Sequence, residues 1–257
     1  MKKRILIWLT VLCLLFCAPA KADGPLDWLA SWLFGSKQKQ ETAVPSHAET
    51  VEALRALGIR VPDETVQEAE TGLEEMLTMM AQYGFPRSEQ PWDFPLLLLD
   101  ILGWGDYDYD TGEWTPTSND VYAFDAEIFD IGWMYTLFLQ GIAAIVPGFD
   151  CTEVAEEIDE WDEDEIRKRA ALSGGWQAEG TTKVSFVLNG HRYERALNFY
   201  GDWFNTDAID WVNEVLTAEG FTGQIHTYFD GGQGLILFYG DDAFARQLDK
   251  IIPEPFH

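Results

Sequence analysis

The chain has 257 residues, apolar side chains make up 47% of it, and 44 acidic residues against 17 basic ones give a net charge of −27 at pH 7. This length and composition are enough for one large hydrophobic core or two modest ones. Nucleic acid and anionic lipid are poor partners, because both are bound by clustered Lys and Arg and are repelled by a strongly negative protein. The same charge favours solubility and the attraction of cations or basic partners.

Residues 1–22 have the pattern of a secretory signal peptide. Three basic residues precede an apolar run from Ile5 to Phe16, and Ala20-Lys21-Ala22 has the small residues of a cleavage site. The run is short for a membrane span, and Pro19 interrupts it before the cut. We therefore expect cleavage near Ala22 and a protein that is secreted or otherwise works outside the cytosol. An uncleaved anchor is the alternative.

The cysteines predict that the exported chain is stabilised by its hydrophobic core and not by disulfides. Cys13 and Cys17 leave with the leader, so Cys151 remains alone and cannot form an internal disulfide. A lone Cys is usually a small buried apolar side chain. A nucleophile or a link between two copies is the alternative for Cys151.

Residues 23–47 are predicted to be an apolar segment followed by a linker. The segment from 23 to 34 carries Trp28 and Trp32 and has Asp27 as its only charged residue after Asp23. It suits peripheral contact with a membrane interface, or packing onto the protein itself. Residues 36–47 are polar with one proline, which is typical of a linker.

Residues 48–148 are predicted to form a mainly helical region. Apolar residues recur at three- and four-residue spacing in 48–57 and in 63–83, and both patterns end at a glycine. The stretches 92–104 and 131–146 are apolar on nearly all sides and are predicted to be buried helices. Residues 120–129 alternate poorly and are predicted to be an extended segment that leads into a helix.

Residues 149–257 are predicted to be an α+β region with two β-hairpins, each followed by a helix. The acidic run at 153–165 is expected to be a solvated face or loop. Asn189-Gly190 between alternating runs predicts the first hairpin, and the stretch DGGQG at 230–234 turns the second. The fold class is therefore α+β: a helical region followed by an antiparallel sheet with helices packed on one face.

The stretch DYDYDTGEWT at 106–115 has alternating carboxylates before a glycine. An EF-hand loop starting at Asp106 needs glycine at its sixth position and a bidentate acid at its twelfth, and Thr111 and Thr117 stand there. The spacing instead predicts a hairpin that turns around Asp110. Weak calcium binding by Asp106, Asp108 and Asp110 is the alternative.

Other ligand motifs are incomplete. Gly234 of DGGQG leads into a strand, so no helix terminus faces a phosphate, and a turn is predicted. His47, His191, His226 and His257 lack the spacing of a metal motif. A pair formed by His191 and His226 across one sheet is the only metal arrangement that the predicted strands suggest. No catalytic residue, metal ligand or cofactor is assigned.

Paired carboxylates and tryptophans keep two functions open. A glycosidase needs one shielded acid and one ionised acid, but an acidic chain offers many pairs. We expect Trp104, Trp114, Trp176 and Trp203, which flank glycines or turns, to lie nearer the surface than Trp133 or Trp211. The leading hypothesis is a non-catalytic module that binds a protein or glycan partner, and the alternative is a secreted hydrolase of glycan or peptide.

Overall fold

The structure is a computed structural model that describes residues 44–108, 113–127, 133–158, 179–200, 203–230 and 232–252. These ranges contain six helices and eight strands. The helices are α1 (His47–Ala56), α2 (Asp63–Gln82), α3 (Asp93–Gly103), α4 (Met134–Ile145), α5 (Asp207–Ala218) and α6 (Asp242–Ile251). The strands are β1 (Asp106–Asp108), β2 (Glu113–Thr115), β3 (Tyr122–Asp125), β4 (Thr152–Ile158), β5 (Glu179–Leu188), β6 (His191–Tyr200), β7 (Gln224–Phe229) and β8 (Gly234–Gly240).

Local chemistry sets the start of α1. The Ser46 hydroxyl accepts a hydrogen bond from the backbone N–H of Glu49, and the Glu49 carboxylate accepts one from the backbone N–H of Ser46. This capping box satisfies two N–H groups that a helix start otherwise leaves unpaired. The helix therefore begins at His47, which the sequence placed in the linker.

The strands form two three-stranded antiparallel sheets and a separate two-stranded hairpin. The central sheet has the order β3-β8-β7, and the second sheet has the order β4-β5-β6. The α+β class and the antiparallel pairing predicted from the sequence are confirmed. The two predicted hairpins, β5–β6 and β7–β8, lie in different sheets, and each gains a third strand from earlier in the chain.

The central sheet separates two hydrophobic cores. Tyr122 and Leu237 point to the core built with α4, α5 and the second sheet, which we call the sheet core. Ala123 and Ile236 point to the core built with α1, α2, α3 and α6, which we call the helix core. Successive side chains of a strand face opposite sides, so one strand supplies both cores. Each core combines elements from residues 48–148 and from residues 149–257.

The first predicted hairpin has the expected turn. Asn189 and Gly190 have φ values of 51° and 82°, and strands β5 and β6 pair without interruption from Leu188 and His191 to Glu179 and Tyr200. Positive φ at both turn residues matches the twist of the flanking strands, which explains the preference for Asn-Gly.

The acidic run contains an element that the sequence did not predict. Its first part, Thr152–Ile158, is the edge strand β4, paired with β5 through a register shift between Thr152 and Ala155. As an edge strand it stays half-exposed and keeps several carboxylates hydrated. The rest of the run lies outside the described residues, as do the predicted signal peptide and the apolar segment at 23–34.

Candidate functional site

The two ends of the stretch at 106–115 pair as strands, as the predicted hairpin requires. Strands β1 and β2 are antiparallel, with Asp106 opposite Thr115 and Asp108 opposite Glu113. Residue Asp110 lies outside the described residues. Across the part of the chain that the structure describes, no group of three or more His, Cys, Asp and Glu side chains is arranged to hold a metal ion.

The DGGQG stretch is the predicted turn. The Asp230 carboxylate accepts hydrogen bonds from the backbone N–H groups of Gly232 at 2.7 Å and Gly234 at 3.0 Å. Burial raises the pKa of Asp230, and these two hydrogen bonds oppose that shift. The Asp230 carboxylate therefore makes its hydrogen bonds to the backbone of its own loop.

The histidines do not form the pair that the sequence suggested. His191 lies in β6 of the second sheet, where its Nδ1 is 2.7 Å from Glu219 Oε1. His226 lies in β7 of the central sheet, and its Nε2 is 3.1 Å from the carbonyl oxygen of Gly240. The alternative of a pair across one sheet is ruled out, because the two hairpins belong to different sheets. Residue His257 lies outside the described residues.

Cys151 is half-buried and packs against the sheet core. Burial raises the pKa of its thiol. A reactive cysteine needs a lowered pKa, so these surroundings favour the apolar role over the nucleophile.

The tryptophans divide differently from the prediction. Trp203 is 43% exposed and Trp211 is 4% exposed, which confirms both expectations. Trp133 is 62% exposed, so the expectation that it lies deeper than Trp203 was wrong. It precedes the first residue of α4 and lies seven positions before exposed Gln140, so it continues the solvent side of that helix. That spacing is the sequence signal that could have identified it.

Trp104 and Trp114 are half-buried, which agrees with a place nearer the surface than Trp211. The indole N–H of Trp104 donates to Asp100 Oδ1 at 2.8 Å. Trp114 packs edge-on against Tyr122, with ring centroids 5.3 Å apart. Residue Trp176 lies outside the described residues.

Three exposed aromatic residues, Trp133, Trp203 and Phe229, lie on segments that meet at one end of the central sheet, and we call them the aromatic end face. Phe229 is 56% exposed and pairs with Leu235, the second residue of β8. Trp203 forms a β-bridge with Glu127, two residues beyond the end of β3. Both positions therefore lie where β7 ends, β8 begins and β3 ends.

The start of α4, which follows Trp133, reaches the same end of the sheet through packed side chains. Phe204, next to Trp203, has its ring 5.4 Å from that of Tyr135 and 4.9 Å from that of Phe138. The backbone N–H of Phe204 also donates to the carbonyl of Ala126. This contact set joins the beginning of α4 to the segment that carries Trp203.

The aromatic end face is acidic. The stretches 120–134, 202–210 and 225–236, which carry its three aromatics, contain no Lys or Arg. The Glu127 carboxylate is half-buried and accepts a hydrogen bond from the Gln233 amide. Asp207, in the first turn of α5, is exposed. The face therefore combines aromatic rings with negative charge.

One carboxylate has the shielded setting that a general acid needs. Glu156 lies on the core side of β4, and its Oε1 accepts from the Thr136 N–H at 2.5 Å and from the Thr136 hydroxyl at 2.8 Å. Burial raises its pKa, and Oε2 has no hydrogen-bond partner among the described residues. Thr136 is the third residue of α4, whose start has no side-chain cap of its own. Glu156 thus supplies the missing cap.

Two depressions formed by described residues are open. One of about 450 Å³ is lined by the α1–α2 connection at 58–62 with Arg55. Another of about 370 Å³ lies at the start of α6, beside Asp241, Asp242 and Arg246. Neither contains Glu156 or an aromatic side chain that shields a carboxylate.

Comparison of the chain with protein families, curated proteins and solved structures found no match. No helix of the described part of the chain combines the length and the apolar character that crossing a membrane requires.

Proposed function

We propose that the protein is a non-catalytic binding module that recognises a protein partner through the aromatic end face. The observation that carries this proposal is the exposure of Trp133 and Trp203 at 62% and 43% on one end of the central sheet. Large apolar side chains left in water at one place are typical of interaction sites, and Trp is enriched in the centres of interfaces.

The charge of the face supports a partner that presents Arg or Lys. A net charge of −27 attracts basic partners at long range, and the aromatic end face has no Lys or Arg in its own stretches. A guanidinium can lie on a Trp ring while it pairs with a carboxylate. The same combination occurs elsewhere on this protein's surface, where Arg195 lies 5.9 Å from the Trp211 ring centroid and pairs with Glu214.

We further propose that this recognition takes place outside the cytosol, because residues 1–22 have the pattern of a signal peptide. A glycan partner is the second candidate within the binding class, because aromatic rings also stack on sugars. A hydrolase is the alternative class, and the shielded setting of Glu156 is the observation in its favour. Glu156 lines neither of the two depressions described above, and we therefore propose the binding module first.

The test measures binding of an Arg-rich peptide, a Lys-rich peptide and neutral oligosaccharides by calorimetry. We expect the Arg-rich peptide to bind most tightly and to lose affinity as salt is raised, because screening weakens exposed charge pairs. Changing Trp133→Ala and Trp203→Ala together should weaken binding by about tenfold or more, in line with hot-spot losses of about 2 kcal/mol.

Tyr83→Ala is the matched control, because Tyr83 is 60% exposed at the end of α2, on the helix-core side of the molecule. This variant should bind as the unchanged protein does. Salt-independent binding of an oligosaccharide would favour the glycan partner. Hydrolysis of a peptide or glycan that Glu156→Gln abolishes would overturn the non-catalytic assignment.

A further inference from the structure

The first residue of α1 is held by three contacts to other elements. His47 Nδ1 is 3.2 Å from Glu70 Oε1 on α2, and His47 Nε2 is 3.0 Å from Glu89 Oε1 in the segment before α3. The imidazole ring also stacks on Phe94 of α3, with centroids 3.8 Å apart and planes 8° apart. One side chain thus joins α1 to α2, to α3 and to the connection between them.

The two carboxylate contacts require a particular protonation state. A neutral imidazole has one N–H donor and one lone pair, so it can donate to only one of the two carboxylates. Its other nitrogen then presents a lone pair to a negatively charged oxygen. An imidazolium has two N–H groups and donates to both carboxylates.

Other titratable groups lie on the elements that contact His47. Asp93, at the start of α3, accepts from the Gln90 N–H at 2.8 Å. Burial, and to a smaller extent the charge of Glu89, raises the pKa of Asp93 to about 6. One turn along α2 from Glu70, Glu74 pairs with Arg87, and on α1 itself Glu49 bonds to Ser46.

We propose that His47 is a proton-operated latch that fastens the beginning of α1 to the helical layer when its ring is charged. Acid completes the latch by giving both nitrogens a proton. A rise in pH removes one of the two hydrogen bonds and leaves a lone pair against a carboxylate, so α1 is held less firmly. The latch lies on the helix-core side of the central sheet and does not depend on the proposed binding function.

Hydrogen exchange of the full-length protein tests the latch, with protection factors corrected for intrinsic exchange rates. At pH 5.5, His47→Gln should reduce the protection of α1 amides roughly three- to fivefold, the range of a partly exposed ion pair. At pH 8.5, the same variant should differ from the unchanged protein by roughly twofold or less. Amides of α5 should keep their protection in both proteins at both pH values.

A second variant, Glu89→Gln, and the Asp93→Asn background test whether the effect comes from the His47 contact and not from Asp93. Glu89→Gln should cause the same pH-dependent loss in α1, and the double variant with His47→Gln should add little, because the two residues form one interaction. Repeating the comparison in an Asp93→Asn background removes the titration of Asp93, and the effect of His47→Gln should persist. A loss equal at both pH values, or equal in α1 and α5, would overturn the proposal.

Discussion

The contact between Gly141 of α4 and the ring of Tyr122 shows how single residues set the packing of the sheet core. A Cβ atom at position 141 would lie 2.1 Å from the Tyr122 ring, and Tyr122 is almost fully buried. Its hydroxyl donates to the carbonyl of Leu137 at 3.3 Å. Only glycine allows the helix to lie this close to β3.

Gly141→Ala should therefore destabilise the protein by about 1–3 kcal/mol, because the ring must leave its position in a packed core. Gly72→Ala on α2 is the matched control, since its added methyl meets only Leu97 at 3.5 Å. It should stabilise the protein by about 0.5–1 kcal/mol through helix propensity. Urea unfolding of both variants measures the difference, and two changes of the same sign would contradict this account.

Turns whose residues have strong local conformational preferences could be predicted from the sequence. Asn189-Gly190 and the loop at Asp230 follow from turn chemistry alone. The burial of Gly141 against Tyr122 and the exposure of Trp133 could not, because both depend on where α4 lies against β3 and Phe204.

At the scale of elements, Glu219 joins the end of α5 to the β5–β6 hairpin. Its carboxylate accepts hydrogen bonds from the Tyr193 hydroxyl, from His191 at 2.7 Å and from the Asn189 amide at 2.9 Å. These three hydrogen bonds lower the pKa of Glu219 to about 2. The bond from Tyr193 contributes most, followed by the bonds from His191 and Asn189. The same bond raises the pKa of Tyr193 to about 12.

A lowered pKa in the folded state means that the ionised carboxylate stabilises the fold above its ordinary pKa of 4.5 and stops doing so as the pH falls toward 2. Glu219→Gln should lower the melting temperature by a few degrees at pH 7. The difference from the unchanged protein should shrink between pH 4.5 and pH 2. Melting curves across this range provide the measurement.

Glu214→Gln is the control for this prediction, because Glu214 pairs with Arg195 on the exposed side of α5. A surface ion pair contributes about 0–1 kcal/mol, so this variant should melt close to the unchanged protein. A Glu219→Gln protein with the same pH dependence as Glu214→Gln would show that the contacts of Glu219 with Tyr193, His191 and Asn189 do not depend on its charge.

The helices and hairpins could be predicted because their periodicity is local, whereas β4 could not. Its sequence is rich in carboxylates and lacks a clean alternation, so composition favoured a loop. Pairing with β5 over Ala155 to Ile158 determines its conformation, and that partner is distant in sequence.

At the scale of the whole molecule, the two cores meet at the central sheet. Leu237 is fully buried in the sheet core, and its neighbour Ile236 is fully buried in the helix core. Loss of β8 would open both cores together. The sequence could not decide whether the helical and sheet regions share a core. That depends on the pairing of β3, from the helical region, with β8, and the two strands are far apart in the chain.

We therefore expect a single unfolding transition in denaturant. Leu237→Ala and Ile236→Ala should each cost about 2–5 kcal/mol and lower the same midpoint. The indole N–H signals of Trp211 in the sheet core and Trp104 beside the helix core should disappear together in NMR spectra. Two separate midpoints would show that the cores unfold independently.

The Asp230 loop has a consequence for how β8 finds its place. A strand with one wet face resists slipping, because a shift by one residue exposes its apolar side chains. Strand β8 is apolar on both faces, so a slip would only exchange leucines for isoleucine and phenylalanine. The pattern of polar and apolar side chains therefore does little to distinguish the correct register of β8 from a shifted one. The carboxylate that binds Gly232 and Gly234 fixes the length of the connection, so a single loop residue decides which side chains enter which half of the interior.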